Sequence, residues 1–255
     1  SYDSIDKLAD KEEWIKATDS EIASLMEHQT WELVPLPPGR KALKNKWVFR
    51  IKRDAYGNIT RYKARLCACG YNQIEGIDYK DIYSPVVRAE SFRLFLGIVA
   101  ARDMECIQMD VVTAFLNGSI KENVYMRQPP GYTDSKCPDK VCKIVKNLYG
   151  LKQAPKVWHD TIDPYLKTIG FSSLTADPCI YFKWNNGKLS LVSLYVDDLA
   201  IASDSVEEIA IIKEKLMKKF KMTDDGDIDY ILGMEIRRNR EKKMWLIFLQ
   251  NRCQK

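Results

Sequence analysis

Apolar residues recur at helical spacing in four stretches of the chain and alternate with polar ones in others. From 12 to 26, Trp14, Ala17, Ile22 and Leu25 fall on one helical face, which predicts an amphipathic helix near the start. A loop with Pro35, Pro37, Pro38 and Gly39 follows, and then Trp47, Phe49 and Ile51 alternate with Val48, Arg50 and Lys52 at strand period. Turn chemistry at 54–57 sends the chain back as the second strand of a hairpin. Helices are predicted at 91–102 (Phe92, Phe95, Ile98, Val99), from Pro155 to near Gly170 (Trp158, Ile162, Tyr165, Leu166) and at 206–220 (Ile209, Ile212, Leu216, Phe220). A short strand-like run at 106–111 carries Asp110, and runs at 179–184 and 189–195 flank Asn185-Asn186-Gly187, a hairpin signal. Strands and helices mix without strict alternation. That pattern predicts an α+β fold with an antiparallel sheet packed on helices.

Composition narrows the class. With 255 residues, 45% apolar and 29% charged, the chain buries a real core, which excludes a disordered protein. No apolar run reaches the ~18 residues of a membrane span, and no secretory leader opens the chain, so no membrane partner is expected. Beginning at Ser1 without methionine, it reads as a piece of a longer polyprotein. The net charge of +5 is unevenly spread: between Gly39 and Arg65 there are ten basic residues against one acid, Asp54. Such an excess is the footprint of a polyanionic partner, with a solvated basic hairpin as the plain alternative. In the return strand Arg61, Lys63 and Arg65 project from one face, and Tyr62, Ala64 and Leu66 from the other. The seven cysteines, with only His28 and His159 beside them, have no usual zinc spacing and read as thiols of a reducing compartment.

The sharpest chemical feature is Leu194-Tyr-Val-Asp-Asp-Leu199, two adjacent aspartates between apolar strand-forming residues. Like charges there are costly to keep ionised unless a cation neutralises them, and oxygen ligands suit magnesium or manganese. An exposed turn carrying two aspartates is the alternative. Asp110, at the end of its own strand-like run, is the natural further carboxylate. If the two strands share a sheet, Asp110 and Asp197 can face each other, a constellation that fits two-metal catalysis with ions ~3.5–4 Å apart.

Gln108-Met-Asp-Val-Val-Thr-Ala-Phe-Leu-Asn-Gly118, Leu148-Tyr-Gly-Leu-Lys-Gln-Ala-Pro155 and Tyr195-Val-Asp-Asp198 together resemble the copia-type reverse transcriptases of LTR retrotransposons. The likeness runs in order from Trp31-Glu-Leu-Val-Pro-Leu-Pro37 through Arg61-Tyr-Lys-Ala-Arg65 to Tyr230-Ile-Leu-Gly-Met-Glu-Ile236, and covers about residues 12–236. The resemblance implies an RNA-directed DNA polymerase with a right-hand fold: fingers at 1–98 and 121–152, palm at 99–120 and 153–238, and the start of a thumb at 239–255. It implies two Mg²⁺ ions, or Mn²⁺, held by Asp110, Asp197 and Asp198 with the main-chain carbonyl of Val111. Lys63 and Arg65 would grip the dNTP phosphates, Thr113 and Ala114 would touch the triphosphate through their amides, and Phe115 would block a ribose 2′-hydroxyl, with a plain core phenylalanine as the alternative. Gln153 would contact the nucleotide's sugar and the template. Tyr195, Val196, Leu232, Gly233 and Met234 would touch primer or template, the last three as a primer grip.

The implied partners are dNTPs and an RNA or DNA template with its primer. Ribonuclease H and integrase are expected on other segments of a polyprotein, in a cytoplasmic virus-like particle. Cys67 and Cys69 depart from the family, which commonly has valine and a basic residue there. A decayed or domesticated nucleic-acid-binding remnant is the alternative of a different class. A two-metal nuclease would explain the carboxylates but not the row of cations.

Overall fold

The computed structural model describes residues 2, 5, 9–53, 57–239 and 244–249. The chain forms two compact units and crosses from one to the other three times, after Tyr83, Ala114 and Asp160. The first passage holds helix α1 (Lys11–Glu27) and strands β1 (Trp31–Val34), β2 (Asn45–Arg53) and β3 (Ile59–Ala68). Helix α2 (Ala89–Ala101) and strand β4 (Glu105–Val111) follow in the second unit, and β5 (Ser119–Met126) and β6 (Val141–Lys146) return to the first. Helix α3 (Ala154–Thr168) carries the final crossing. Beyond it lie β7 (Ser172–Ser173), β8 (Ile180–Asn185), β9 (Lys188–Tyr195), β10 (Asp198–Ser203), α4 (Val206–Lys219), β11 (Met222–Asp227), β12 (Tyr230–Ile231), β13 (Met234–Asn239) and β14 (Met244–Leu249). Every pairing between these strands is antiparallel, so the fold is α+β with antiparallel sheets.

In the first unit β2 and β3 make a two-stranded ribbon, and β1, β6 and β5 a separate three-stranded sheet. A ribbon alone is marginal in water. Here α1 covers its apolar face, with Trp14 set edge-on to Phe49 at 5.1 Å and to Tyr62 at 4.7 Å. Glu21 of α1 accepts the N–H of Leu66 at 3.1 Å, and burial raises its carboxyl pKa above the ordinary carboxylate value. The opposite face carries the cations. Register places Arg50 opposite Lys63 and Lys52 opposite Arg61, and like charges directly opposite repel.

Two glycines join this ribbon to the segment before α3. Gly70 donates its N–H to the carbonyl of Gly150 at 3.1 Å, and Ala68 donates to Tyr149 at 2.8 Å. A Cβ on Gly70 would sit 2.0 Å from that same oxygen. Gly150 adopts φ +89°, and a Cβ there would meet the Ala68 carbonyl at 2.1 Å. Only glycine permits backbones so close.

The second unit is built on a six-stranded sheet in the order β11-β4-β10-β9-β8-β7. Helix α2 packs on β8 and β9 and α4 on β10, while the Tyr165 hydroxyl of α3 donates to the Lys215 carbonyl of α4 at 2.5 Å. Asn186 and Gly187 have φ of +50° and +76°, as a two-residue hairpin with a primed turn requires.

The two units divide the chain at 83/84, 114/115 and 160/161. Strands β1, β5 and β6 are not among the elements that periodicity predicts. The stretch 244–249, within the expected start of a thumb at 239–255, is β14, paired with β13 along its length from Met234↔Leu249 to Asn239↔Met244. The turn at 54–56 and the expected thumb residues 240–243 and 250–255 lie outside the described residues.

Candidate active site

Strand β10 is the middle of the site. Leu199, Ala200, Ile201 and Ala202 are all fully buried between β4 and β9, so a one-residue slip would carry Asp198 inward. The register that results pairs Asp198 with Asp110 and puts Val196 and Asp197 in the two-residue turn from β9. Val111 donates its N–H to the Asp197 carbonyl at 2.8 Å, which makes 111/197 the hydrogen-bonded pair. Asp110 and Asp198 therefore occupy the adjacent narrow pair, where Cα atoms are ~4.5 Å apart and side chains lie closest. Across the sheet from Asp110 stands Asp198, not Asp197 as expected from spacing. Asp197 reaches the same sheet end from the turn.

Three carboxylates at one end of an apolar sheet are a hard-oxygen donor set, and two of them are directly opposed. Both properties fit a divalent cation of the magnesium class. Among the described residues, no three His, Cys, Asp or Glu side chains form a ready-made cage. Magnesium does not need one, since it commonly takes one or two carboxylates and completes its shell with water and substrate phosphate.

The turn itself is strained. Val196 has φ +54° at the first central position of the turn, a place glycine usually fills, and a β-branched residue there costs ~1–3 kcal/mol. Replacing Val196 by glycine is expected to raise the melting temperature by about 2–4 °C, the equivalent of ~1 kcal/mol in a chain of this size. The same change lets Asp197 and Asp198 wander and lowers turnover. A thermal melt beside an activity assay checks both, and a fall in melting temperature would show that the turn stores no strain. Thr113, just beyond β4, has φ +54° as well, with its Oγ1 donating to the Val112 carbonyl at 2.7 Å, and leads into a 3-10 turn at Ala114–Asn117.

A second tight hairpin joins β12 to β13. Tyr230 pairs with Glu235 and Ile231 with Met234, leaving Leu232 (φ +53°) and Gly233 (φ +77°) as the turn.

Residues 28–249 match the family described as reverse transcriptase (RNA-dependent DNA polymerase). The chain belongs to that family. It is 43% identical to the retrovirus-related Pol polyprotein from transposon TNT 1-94 of Nicotiana tabacum, over 93% of this chain and 18% of that protein. It is 39% identical to the Pol polyprotein from transposon RE1 of Arabidopsis thaliana, over 89% of this chain and 16% of the relative. The transposon Ty1-ER2 Gag-Pol polyprotein of Saccharomyces cerevisiae is 28% identical over 94% of this chain and 14% of its own length. The chain thus spans less than a fifth of these relatives and is a copia-type reverse transcriptase domain.

Family membership gives the remaining expected residues a frame, and their positions differ in kind. Lys63 and Arg65 lie half-buried on the cationic face of β3 in the first unit, with Phe115 and Gln153; Asp110, Val111, Thr113, Ala114, Asp197 and Asp198 are in the second. Gln153 is only 1% exposed. Its Nε2 donates to the Asp78 carbonyl at 3.0 Å, and its Oε1 accepts from Gln73 at 3.0 Å. These bonds tie the 70–79 loop to the residue just before α3. Met234 is likewise buried in β13, which leaves Leu232 and the exposed Gly233 as the surface of that hairpin. Tyr195 is exposed at the end of β9, beside the strained turn.

One residue of the reverse transcriptase is missed by sequence reasoning. Tyr149 lies under the Arg65 guanidinium, 5.0 Å from carbon to ring centroid, and meets Phe115 edge-on at 4.7 Å. A phosphate-clamp candidate and a sugar-gate candidate are thus packed on one aromatic ring. The signal available was its place in Leu148-Tyr-Gly-Leu-Lys-Gln-Ala-Pro155, next to a glycine that cannot carry a side chain.

Proposed function

We propose that this chain is an RNA-directed DNA polymerase of right-hand type, transferring nucleotides from dNTPs to a primer 3′-hydroxyl on an RNA or DNA template. The first unit corresponds to fingers and the second to palm. The observation that carries the reading is the narrow cross-strand pairing of Asp110 with Asp198, with Asp197 in the turn beside them. Asp110, Asp197 and Asp198, with the Val111 carbonyl, would hold two Mg²⁺ ions, Mn²⁺ substituting. Such ions supply charge neutralisation at the attacking and leaving oxygens of an in-line displacement.

The chain's own residues do the positioning. Lys63 and Arg65 receive the triphosphate, Arg as a bidentate clamp and Lys as a point charge, which relieves the repulsion along β3. Tyr149 holds Arg65 and Phe115 at fixed orientation, and the ring of Phe115 occupies the space of a 2′-hydroxyl. The hairpin at Leu232 and Gly233 sets the primer end, a contribution that near-attack placement makes worth several kcal/mol. Ribonuclease H and integrase would reside on other segments of a polyprotein that works in a cytoplasmic particle.

The test is primer extension on a poly(rA) template with oligo(dT), in magnesium and in manganese. Incorporation dependent on metal and template is expected; none in either metal would sink the reading. Lys63→Ala and Arg65→Ala are expected to raise the KM for dNTP about tenfold or more, with duplex affinity changing far less, because duplex binding is spread over many phosphates. Steady-state constants beside a duplex-binding curve separate the two, and the opposite pattern would make β3 a template track.

A further inference from the structure

The hairpin of Leu232 and Gly233 belongs to the sheet of β12, β13 and β14. Among the described residues, none of those strands pairs with the six-stranded sheet that carries Asp110. Other bonds join the two sheets, and they end at the start of β4. Ile228, between β11 and β12, donates its N–H to the Cys106 carbonyl at 3.2 Å. Near the far end of β13, Arg238 donates from Nη1 to Glu105 at 3.0 Å and from Nη2 to the Asp103 carboxylate at 2.7 Å. The Asp103 carbonyl accepts from the same Nη2 at 3.2 Å. The Trp245 ring, opposite Arg238 in the β13–β14 register, has its centroid 5.2 Å from the guanidinium carbon. The Arg238 side chain is only 14% exposed.

Local preference gives no reason for an aspartate at 103. Helix α2 closes in a Schellman motif, with Asp103 donating to the Ala100 carbonyl at 3.2 Å and Met104 to Val99 at 2.9 Å. Asp103 has φ +51°, the left-handed place that glycine fills at least cost. An acid there also faces the negative end of the helix dipole. Two local rules are broken at one residue, and the charge pair with Arg238 compensates for both. Strand β4 then carries the effect onward. It is an inner strand held by β11 on one side and β10 on the other, so its two ends move together. Glu105 lies at one end and Asp110 near the other, roughly 17 Å along at ~3.4 Å per residue.

We propose that Arg238 is a positioning residue for nucleotide transfer: by clamping β13 to Asp103 and Glu105 it holds the Leu232–Gly233 hairpin at a fixed place relative to Asp110. The inference rests on the polymerase reading of that hairpin and deepens it. A guanidinium spans both carboxylates at once, which the point charge of a lysine does not. With the clamp open, the duplex stays bound through its many phosphates while the primer end drifts from the metal site. The rate falls and the affinities do not.

The test is single-turnover addition of one nucleotide to a pre-bound primer–template, beside a duplex-binding curve and a thermal melt. Arg238→Gln is expected to lower the rate at saturating dNTP by about 10- to 100-fold, the penalty of a misplacement near 1 Å, with the KM for dNTP and the duplex Kd unchanged. Arg238→Lys is expected to recover part of that rate. Arg237→Gln, which removes an exposed pair with Glu235 on the same strand, is expected to keep the wild-type rate. Should Arg238→Gln melt early, Asp103→Gly opens the clamp while relieving the left-handed backbone. That variant is expected to keep the melting temperature and to lose rate. A folded Arg238→Gln or Asp103→Gly chain with the wild-type rate overturns the proposal. So does a loss confined to the duplex Kd or to the KM, and so does a loss of rate that only follows the loss of folded protein. Wild type that extends no primer sinks the polymerase reading instead.

Discussion

Replacing Asp110, Asp197 or Asp198 by asparagine is expected to cut nucleotide incorporation by on the order of 10²–10³-fold or more, while the protein melts at the wild-type temperature or slightly above it. Each substitution keeps the shape of the side chain and removes one charge from a site whose use depends on cations. Stability moves the other way because Asp110 and Asp198 oppose each other at a narrow pair. Removing one of two like charges there relieves ~0.2–1 kcal/mol of repulsion, so any rise amounts to a few degrees at most. Extension rates measured beside melting curves test both halves. Near-normal incorporation by the Asp110 variant would overturn the metal assignment. Equal loss of activity and of melting temperature would mean that the aspartates serve the fold.

Phe115→Val is expected to raise the efficiency of ribonucleotide incorporation relative to deoxyribonucleotide by 10- to 200-fold, the range that removal of a small steric clash of ~1–3 kcal/mol allows. The ring is 9% exposed and meets Tyr149 edge-on, a packing that on the proposed reading would keep it in the space of a 2′-hydroxyl. Trimming it removes the obstruction and adds no attraction, so the gain comes in the ribonucleotide arm. The cost to stability is below the ~3–5 kcal/mol of a Phe→Ala change, because valine refills part of the space. Phe115→Tyr, which keeps the ring, should preserve the wild-type ratio. An unchanged ratio in a folded, active valine variant would make Phe115 an ordinary core residue.

Much of the secondary structure is legible along the chain. The helices at 11–27, 89–101, 154–168 and 206–219 follow from 3.6-residue periodicity, and the β8–β9 hairpin from Asn185-Asn186-Gly187. Periodicity and turn chemistry are local, so a sequence displays them directly. The three aspartates are legible as candidates, and the structure brings Asp110 and Asp198 to one sheet end beside Asp197. What fails is everything decided by a neighbour distant in sequence. The bonds Gln153 makes to Gln73 and Asp78, 80 and 75 residues away, have no signature in the linear order. Tyr149 looks like packing until Arg65 and Phe115 are found against it.

The sequence by itself therefore determined the class of the protein, its strands and helices of clear period, the three aspartates that are its candidate metal ligands and the row of cations on β3. Tertiary structure decided which aspartate opposes Asp110. A two-residue turn at Val196 and Asp197 and the fully buried run from Leu199 to Ala202 together pin the register, and a one-residue change in either would exchange the faces of the strand. It also decided that Met234 is buried and that 244–249 is a strand. Each of these depends on a pairing across the sheet, whose energy lies in contacts between residues that the linear order keeps apart.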